Sequence, residues 1–160
     1  MRKVGRSGRR RRLAAGRKTR ATLSELDPDL AWTPPELRIL YLEDEAVIAM
    51  ETSQLLRDLG FGRIAAAASL SGAEKALAEG MPDLALLDVS VGHGHTSLDL
   101  ARKLLEAGVP VVLATGHTAF DLQADPRASV LEKPFSPNDL EAALRRAMAS
   151  RSDGALPPGP

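Results

Sequence analysis

The sequence predicts an α/β protein built on a doubly wound parallel sheet. Five short apolar runs can be read as strands, and they alternate with four clear helical stretches and one doubtful one. Because alternation at this spacing is typical of right-handed β-α-β units, we expect helices on both faces of the sheet.

The predicted strands are apolar enough to be buried on both faces, as in a parallel sheet. In chain order they span residues 39–42, 63–68, 84–87, 111–114 and 129–131. The alanines of the second run would also suit a helix, but six residues between a glycine and a capping signal favour a strand. At this length, the flavodoxin-like strand order 2-1-3-4-5 is the natural arrangement.

The helices are predicted from apolar residues at helical spacing and from the residues at their ends. They span about 46–59, 71–79, 96–107 and 137–150, with at most a short helix in 117–127. Three helix starts are predicted where a hydroxyl residue is followed by an acidic residue or a proline. These pairs are Ser71 with Glu74, Thr96 with Asp99, and Ser136 with Pro137.

The composition limits the class of protein. The chain has 160 residues and 44% are hydrophobic, but aromatics are only 3%, so the core must be aliphatic. The absence of Cys excludes disulfides, thiolate metal sites and cysteine nucleophiles. No apolar run approaches the roughly 20 residues of a membrane helix, and no signal peptide is evident, so we expect a cytoplasmic protein without membrane insertion.

The charge is unevenly distributed along the chain. Residues 1–20 carry ten Lys or Arg and no acid, so the rest of this neutral chain has a net charge of −10. We expect residues 1–36 to form a disordered basic arm and linker, in which Trp32 either packs on the domain edge or is exposed. The arm is most simply a solvated tail. It would bind nucleic acid or anionic lipid only weakly through its arginines. Residues 150–160 are predicted to be a disordered tail.

Polar side chains follow the predicted strands at their carboxyl ends, which lie along one edge of a doubly wound sheet. These residues are Glu43, Asp44, Asp88, Thr115 and Lys133. Three close carboxylates repel one another unless one is protonated or a cation is present. Oxygen ligands favour a hard cation, most commonly Mg²⁺. Since aspartate is a competent nucleophile, the set predicts a site for a phosphoryl group on a carboxylate.

Four motifs in order, within residues 39–45, 86–89, 114–116 and 131–135, resemble the receiver domain of two-component response regulators. The resemblance covers about residues 37–149. It implies that Asp88 is the phosphoacceptor, and that Thr115 and Lys133 bind the phosphoryl oxygens. It also implies that Mg²⁺ is held by Asp44 directly, by Glu43 through water, by Asp88 and by the backbone carbonyl of Ser90.

The chain departs from the family pattern at several positions. Val130 stands where an aromatic switch residue is common, and Val91-Gly92-His93 replaces the usual Met-Pro. Residues 113–116 are similar to the Phe-Ala-Thr-Gly motif of the FATGUY receivers, although His117-Thr118 does not complete it. His93, His95 and His117 are interpreted as loop residues, with metal binding or an effect on phosphoryl lifetime as the alternative.

The resemblance implies a stand-alone receiver that takes its phosphoryl group from a sensor histidine kinase or a histidine phosphotransfer protein. It would catalyse only its own phosphorylation and dephosphorylation. It would signal to a downstream protein through the face formed by the fourth helix, fifth strand and last helix. The alternatives are a pseudo-receiver that docks without phosphorylation and an aspartyl-phosphate phosphatase. The latter needs a second aspartate where this chain has Ser90. Flavodoxin-like cofactor binding would need a phosphate-cradling loop that the sequence lacks.

Overall fold

The computed structural model describes residues 32–92, 94–116 and 123–153. In chain order the elements are β1 Arg38–Leu42, α1 Ala46–Asp58, β2 Arg63–Ala67, α2 Leu70–Glu79, β3 Leu84–Asp88, β4 Ser90–Val91, β5 His95–Thr96, α3 Leu98–Glu106, β6 Val111–Thr115, β7 Ser129–Glu132 and α4 Pro137–Asp153. The five predicted strands are therefore confirmed, including the alanine-rich β2.

The main sheet has the order β2-β1-β3-β6-β7, and its strands are all parallel. Counting only these five strands, this is the predicted 2-1-3-4-5 order of a flavodoxin-like sheet. The two short strands β4 and β5 form a separate antiparallel hairpin, in which Ser90 lies opposite Thr96 and Val91 opposite His95. This hairpin, which follows β3 directly, was not predicted.

Among the described residues, two helices pack on each face of the sheet, and the predicted coverage of both faces is confirmed. On one face, Ile39 and Tyr41 of β1 belong to a core that includes Leu56 of α1 and Leu144 of α4. The other face carries a second core, which includes these residues of β1, α2 and α3: Leu40, Leu42, Ala73, Leu100 and Leu104. Because successive side chains of a strand point to opposite faces, one apolar run supplies both cores.

The start of α2 was predicted wrongly at Ser71. The helix begins at Leu70, and the Oγ of Ser69 accepts a hydrogen bond from the Gly72 amide at 3.1 Å. Ser71 lies inside the first turn, where its Oγ is 3.1 Å from that of Ser69. Ser69 takes the cap because it has the extended backbone that an N-cap residue needs.

The start of α3 was also placed too early, at Thr96. Thr96 pairs with Ser90 in the hairpin, so its backbone is held in a strand and α3 begins only at Leu98. By contrast, Ser136 caps α4 as predicted, and its Oγ accepts from the Asp139 amide at 3.2 Å.

Packed or helical residues are also found just outside the predicted receiver domain, residues 37–149, at both of its ends. Helix α4 continues past the expected end near Ser150 to Asp153, because no glycine or proline interrupts the chain before Gly154. At the other end, Trp32 and Leu37 pack against the core. The predictions for residues 1–31, 117–122 and 154–160 lie outside the described residues. Residues 123–128, where the doubtful helix was placed, are not helical. Within the described ranges, no helix is long and apolar enough to span a bilayer.

Candidate functional site

The predicted acidic residues meet at the carboxyl edge of the sheet. Strands β1 and β3 are parallel neighbours with Leu42 beside Leu87, so Glu43 comes level with Asp88. One carboxylate oxygen from each of Glu43, Asp44 and Asp88 lies within 4.8 Å of the others. This spacing is short enough for the three carboxylates to share one cation.

Glu43 is almost entirely buried and has partners on both carboxylate oxygens. Its Oε2 accepts from the Lys133 ammonium at 2.8 Å, and its Oε1 accepts from the Glu45 amide at 3.1 Å. A buried carboxylate needs such partners because its removal from water is costly. Glu43 is therefore fixed in the pocket by its own loop and by the residue that follows β7.

Asp44 is the exposed member of the trio. Its Oδ2 accepts from the amide of Gly92 at 2.8 Å, which fastens the hairpin after β3 to the loop after β1. Gly92 has φ of +67°, a left-handed conformation that glycine adopts without strain. This contact was not predicted from the sequence.

Lys133 links two of the three acids. Its Nζ lies 2.8 Å from Glu43 Oε2 and 3.3 Å from Asp88 Oδ1, and its backbone amide donates to the Thr115 carbonyl at 2.8 Å. Burial alone would lower the pKa of this ammonium, but the hydrogen bond to Glu43 and the nearby negative charges outweigh it, so the pKa is raised. Lys133 is therefore firmly protonated and oriented toward the carboxylates.

The pKa of Asp88 is raised, chiefly because burial penalises the charged carboxylate. The positive charge of Lys133 opposes this shift, the negative charge of Glu43 adds to it, and a backbone hydrogen bond from Ser90 opposes it. A carboxylate held in this way gains from any additional positive charge in the pocket.

Thr115 and Ser90 complete the predicted set. Thr115 ends β6, next to Ala114, which lies beside Asp88 in the sheet, and it is buried. Ser90 lies in β4 and its amide contacts the Asp88 carboxylate, while the role of its carbonyl as a metal ligand stays a prediction. All of the predicted site residues thus come from the strand ends and loops at one edge.

The histidines are only partly described. His93 and His117 lie outside the described residues, whereas His95 is exposed in β5. His95 lines a cleft of about 360 Å³ with Ser69 and Gly92, between the start of α2 and the hairpin. In the part of the chain that the structure describes, the residues grouped closely enough to hold a metal ion are Glu43, Asp44 and Asp88, without a histidine.

Comparisons with known proteins place the chain in one family. The response regulator receiver domain matches residues 39–145. The phyllosphere-induced regulator PhyR of Methylorubrum extorquens is 32% identical over 128 residues, which cover 78% of this chain and 46% of that protein. The transcriptional regulatory protein PdtaR of Mycobacterium tuberculosis is 30% identical over 117 residues, covering 70% of this chain and 57% of the relative. The chain thus spans about half the length of these two relatives.

Solved structures agree with this result. A response regulator receiver protein from Sinorhizobium medicae superposes with a TM-score of 0.64 at 27% identity, covering 72% of this chain and 96% of the other. SdrG from Sphingomonas melonis has a TM-score of 0.61 at 30% identity, with 70% and 96% covered. In both cases almost the whole of the other chain is matched.

Proposed function

The chain belongs to the response regulator receiver domain family, and from that premise we propose that it accepts a phosphoryl group on Asp88 in a phosphorelay. The observation that carries the proposal is the position of Lys133, which lies between Glu43 and Asp88 while Asp44 lies close by. This arrangement provides a nucleophilic carboxylate, a fixed cation and a place for a second cation.

The pocket fits Mg²⁺, because it offers several carboxylate oxygens within reach of one ion. Asp44 and Asp88 would hold the ion directly, Glu43 would act through water, and the Ser90 carbonyl would be a further ligand. When bound, the ion offsets negative charge on the transferring group. Glu43 is assigned the indirect role because both of its oxygens already accept hydrogen bonds.

In the proposed reaction, an Asp88 oxygen attacks the phosphorus of a phosphohistidine on a partner protein. The new oxygen–phosphorus bond forms as the nitrogen–phosphorus bond breaks, and the histidine nitrogen leaves with its electron pair. Lys133 pairs with the added phosphoryl oxygens, and the Thr115 hydroxyl donates a hydrogen bond to one of them. The histidine kinase or histidine phosphotransfer protein that supplies the group would be cytoplasmic, as we propose for this chain.

The signal would leave through a downstream protein partner. The last helix, α4, begins at Pro137, four residues after Lys133. Movement of Lys133 toward a phosphoryl group would therefore bias the position of α4 and of the neighbouring β7. The chain would catalyse only its own phosphorylation and dephosphorylation, and nucleic acid would be contacted only weakly, through residues 1–20.

The proposal is tested by incubating the full chain with Mg²⁺ and acetyl phosphate and measuring covalent phosphoryl addition by intact mass. We expect labelling of the natural chain and of Asp58→Asn, a matched control at an exposed aspartate, but not of Asp88→Asn. A chelator should abolish labelling. An unlabelled natural chain would favour a pseudo-receiver, and steady turnover of a simple phosphate ester would favour a phosphatase.

A further inference from the structure

Trp32 contacts the last helix from a position outside the family match. Its ring packs edge-on against Phe61, with centroids 5.7 Å apart and planes at 86°. The guanidinium carbon of Arg145 lies 4.7 Å from the centre of the same ring. We call Trp32, Phe61 and Arg145 the tryptophan clasp. It joins the segment before β1 to the loop between α1 and β2 and to the middle of α4.

The chain around Trp32 is shaped to hold this contact. The amide of Glu36 donates to the Thr33 carbonyl at 3.0 Å, and the amide of Leu37 donates to the Pro34 carbonyl at 3.2 Å, which turns the segment into β1. Arg145 is also held by Glu141, one turn earlier on α4, at 2.9 Å. A guanidinium fixed over an indole ring is attracted by the negative face of the ring's π-system.

Helix α4 connects the clasp with the phosphoryl pocket. It starts at Pro137, four residues after Lys133, and Arg145 lies about 12 Å further along its axis at 1.5 Å per residue. Leu140 and Leu144 are fully buried between these two points, so this part of the helix is packed against the sheet. Pro137 and Arg145 therefore belong to one packed helix, which begins four residues after Lys133.

We propose that the tryptophan clasp couples the phosphoryl pocket to the N-terminal segment, so that phosphorylation of Asp88 changes the contact between Arg145 and Trp32. This inference rests on the proposed function. An aspartyl phosphate carries up to two negative charges where the free carboxylate carries one, and these charges lie beside Lys133, whose ammonium is shared between Glu43 and Asp88 before phosphorylation. Drawing the ammonium toward Asp88 loosens its bond to Glu43 and shifts the start of α4.

The coupling acts in both directions. If phosphorylation of Asp88 changes the free energy of the contact between Arg145 and Trp32, then restraining Trp32 must change the equilibrium constant for phosphorylation by the same factor. In the proposed coupling, the segment from Trp32 to Leu37 is a regulatory element of the receiver, and restraining it shifts the equilibrium between phosphorylated and free Asp88.

Trp32 is the single tryptophan of the chain, so tryptophan emission reports on the clasp alone. The experiment follows the emission of the full chain and its quenching by acrylamide, before and after labelling with Mg²⁺ and acetyl phosphate, with labelling measured by intact mass. We expect a change in emission or in quenching that grows in proportion to the labelled fraction and is absent in Asp88→Asn.

The matched variants are Arg145→Gln, which removes the cation from the ring, and Arg146→Gln, which removes the neighbouring cation. Arg145→Gln should lose the emission response while Asp88 is still labelled, whereas Arg146→Gln should keep it. If the natural chain is labelled and neither emission nor quenching changes, the coupling is refuted and the proposed function stands. If no chain is labelled, the proposed function fails and the inference falls with it.

Discussion

Replacing Lys133 with methionine removes the ammonium that links Glu43 to Asp88 and leaves a side chain of similar length. At an effective dielectric constant of about 20, a charge pair separated by the observed 2.8 Å attracts by about 6 kcal/mol, and the 3.3 Å pair by about 5 kcal/mol. Most of this attraction is offset by the cost of taking the ammonium out of water.

The expected net effect is a loss of about 2 kcal/mol in the free energy of unfolding at pH 7. Removing one partner of a fully buried pair costs roughly 3–5 kcal/mol, and the side chain of Lys133 is 21% exposed, which screens part of the interaction. Because the pKa of Lys133 is raised above 10.5, its contribution is fully present at neutral pH and is lost only above that value.

The assay is urea unfolding of both chains with a chelator at pH 7 and at acid pH, and again at pH 7 with Mg²⁺. The pKa of Asp88 is raised, and its protonation at acid pH removes its repulsion with Glu43, so the difference between the chains should shrink there. A bound divalent ion replaces the missing positive charge, so Mg²⁺ should stabilise Lys133→Met more than the natural chain. Equal stability at pH 7, or a deficit that neither acid nor Mg²⁺ reduces, would refute this account of the pocket.

Three further predictions concern the cap of α2, the buried tyrosine and Asp88. Ser69→Ala should lower the free energy of unfolding by about 1 kcal/mol, while Ser71→Ala should have little effect; equal losses in urea unfolding would contradict the assigned cap. Tyr41 is the only tyrosine, and burial raises its pKa from 10.0 to about 12, so its phenolate absorbance should appear near pH 12. Because Tyr41 ionises at lower pH in the unfolded chain, the free energy of unfolding should fall between about pH 10 and pH 12. A midpoint of the phenolate titration near pH 10 would argue against burial of Tyr41. Asp88→Asn should be more stable than the natural chain at pH 7 with a chelator, since the raised pKa of Asp88 means that its charge is disfavoured on folding. This advantage should vanish at acid pH, and a less stable variant at pH 7 would contradict it.

The strands could be predicted because a parallel sheet buried on both faces needs continuous apolar runs. Even the alanine-rich β2 is a strand, since it pairs with β1 from Arg38 opposite Arg63 to Leu42 opposite Ala67. The hairpin was missed because two-residue strands are too short to show a period. Its pairing of Ser90 with Thr96 also displaced the start of α3.

The site could be predicted because its side chains are placed by strand ends. Parallel neighbours bring Glu43 level with Asp88, and the same rule brings the end of β7 to that edge with Lys133. Backbone donors leave no comparable trace in a sequence, so the amide of Gly92 on Asp44 was not foreseen.

The clasp was beyond sequence reasoning for a different reason. Trp32 and Arg145 are separated by most of the chain, and no periodic pattern relates a residue before the first strand to one on the last helix. The sequence left two alternatives for Trp32, and its contact with Phe61 and Arg145 shows that it packs on the domain edge.

In the proposed reaction, the Asp44 carboxylate would bind a divalent ion while it also accepts the hydrogen bond from Gly92. The hairpin hangs from its Oδ2 through the Gly92 amide, and a divalent ion would withdraw negative charge from the same carboxylate. Binding of the ion would therefore weaken the hydrogen bond that holds Gly92, and loss of the ion would strengthen it. The loop next to the phosphoacceptor would thus be looser while an ion is present, at the stage when a phosphodonor must gain access to Asp88.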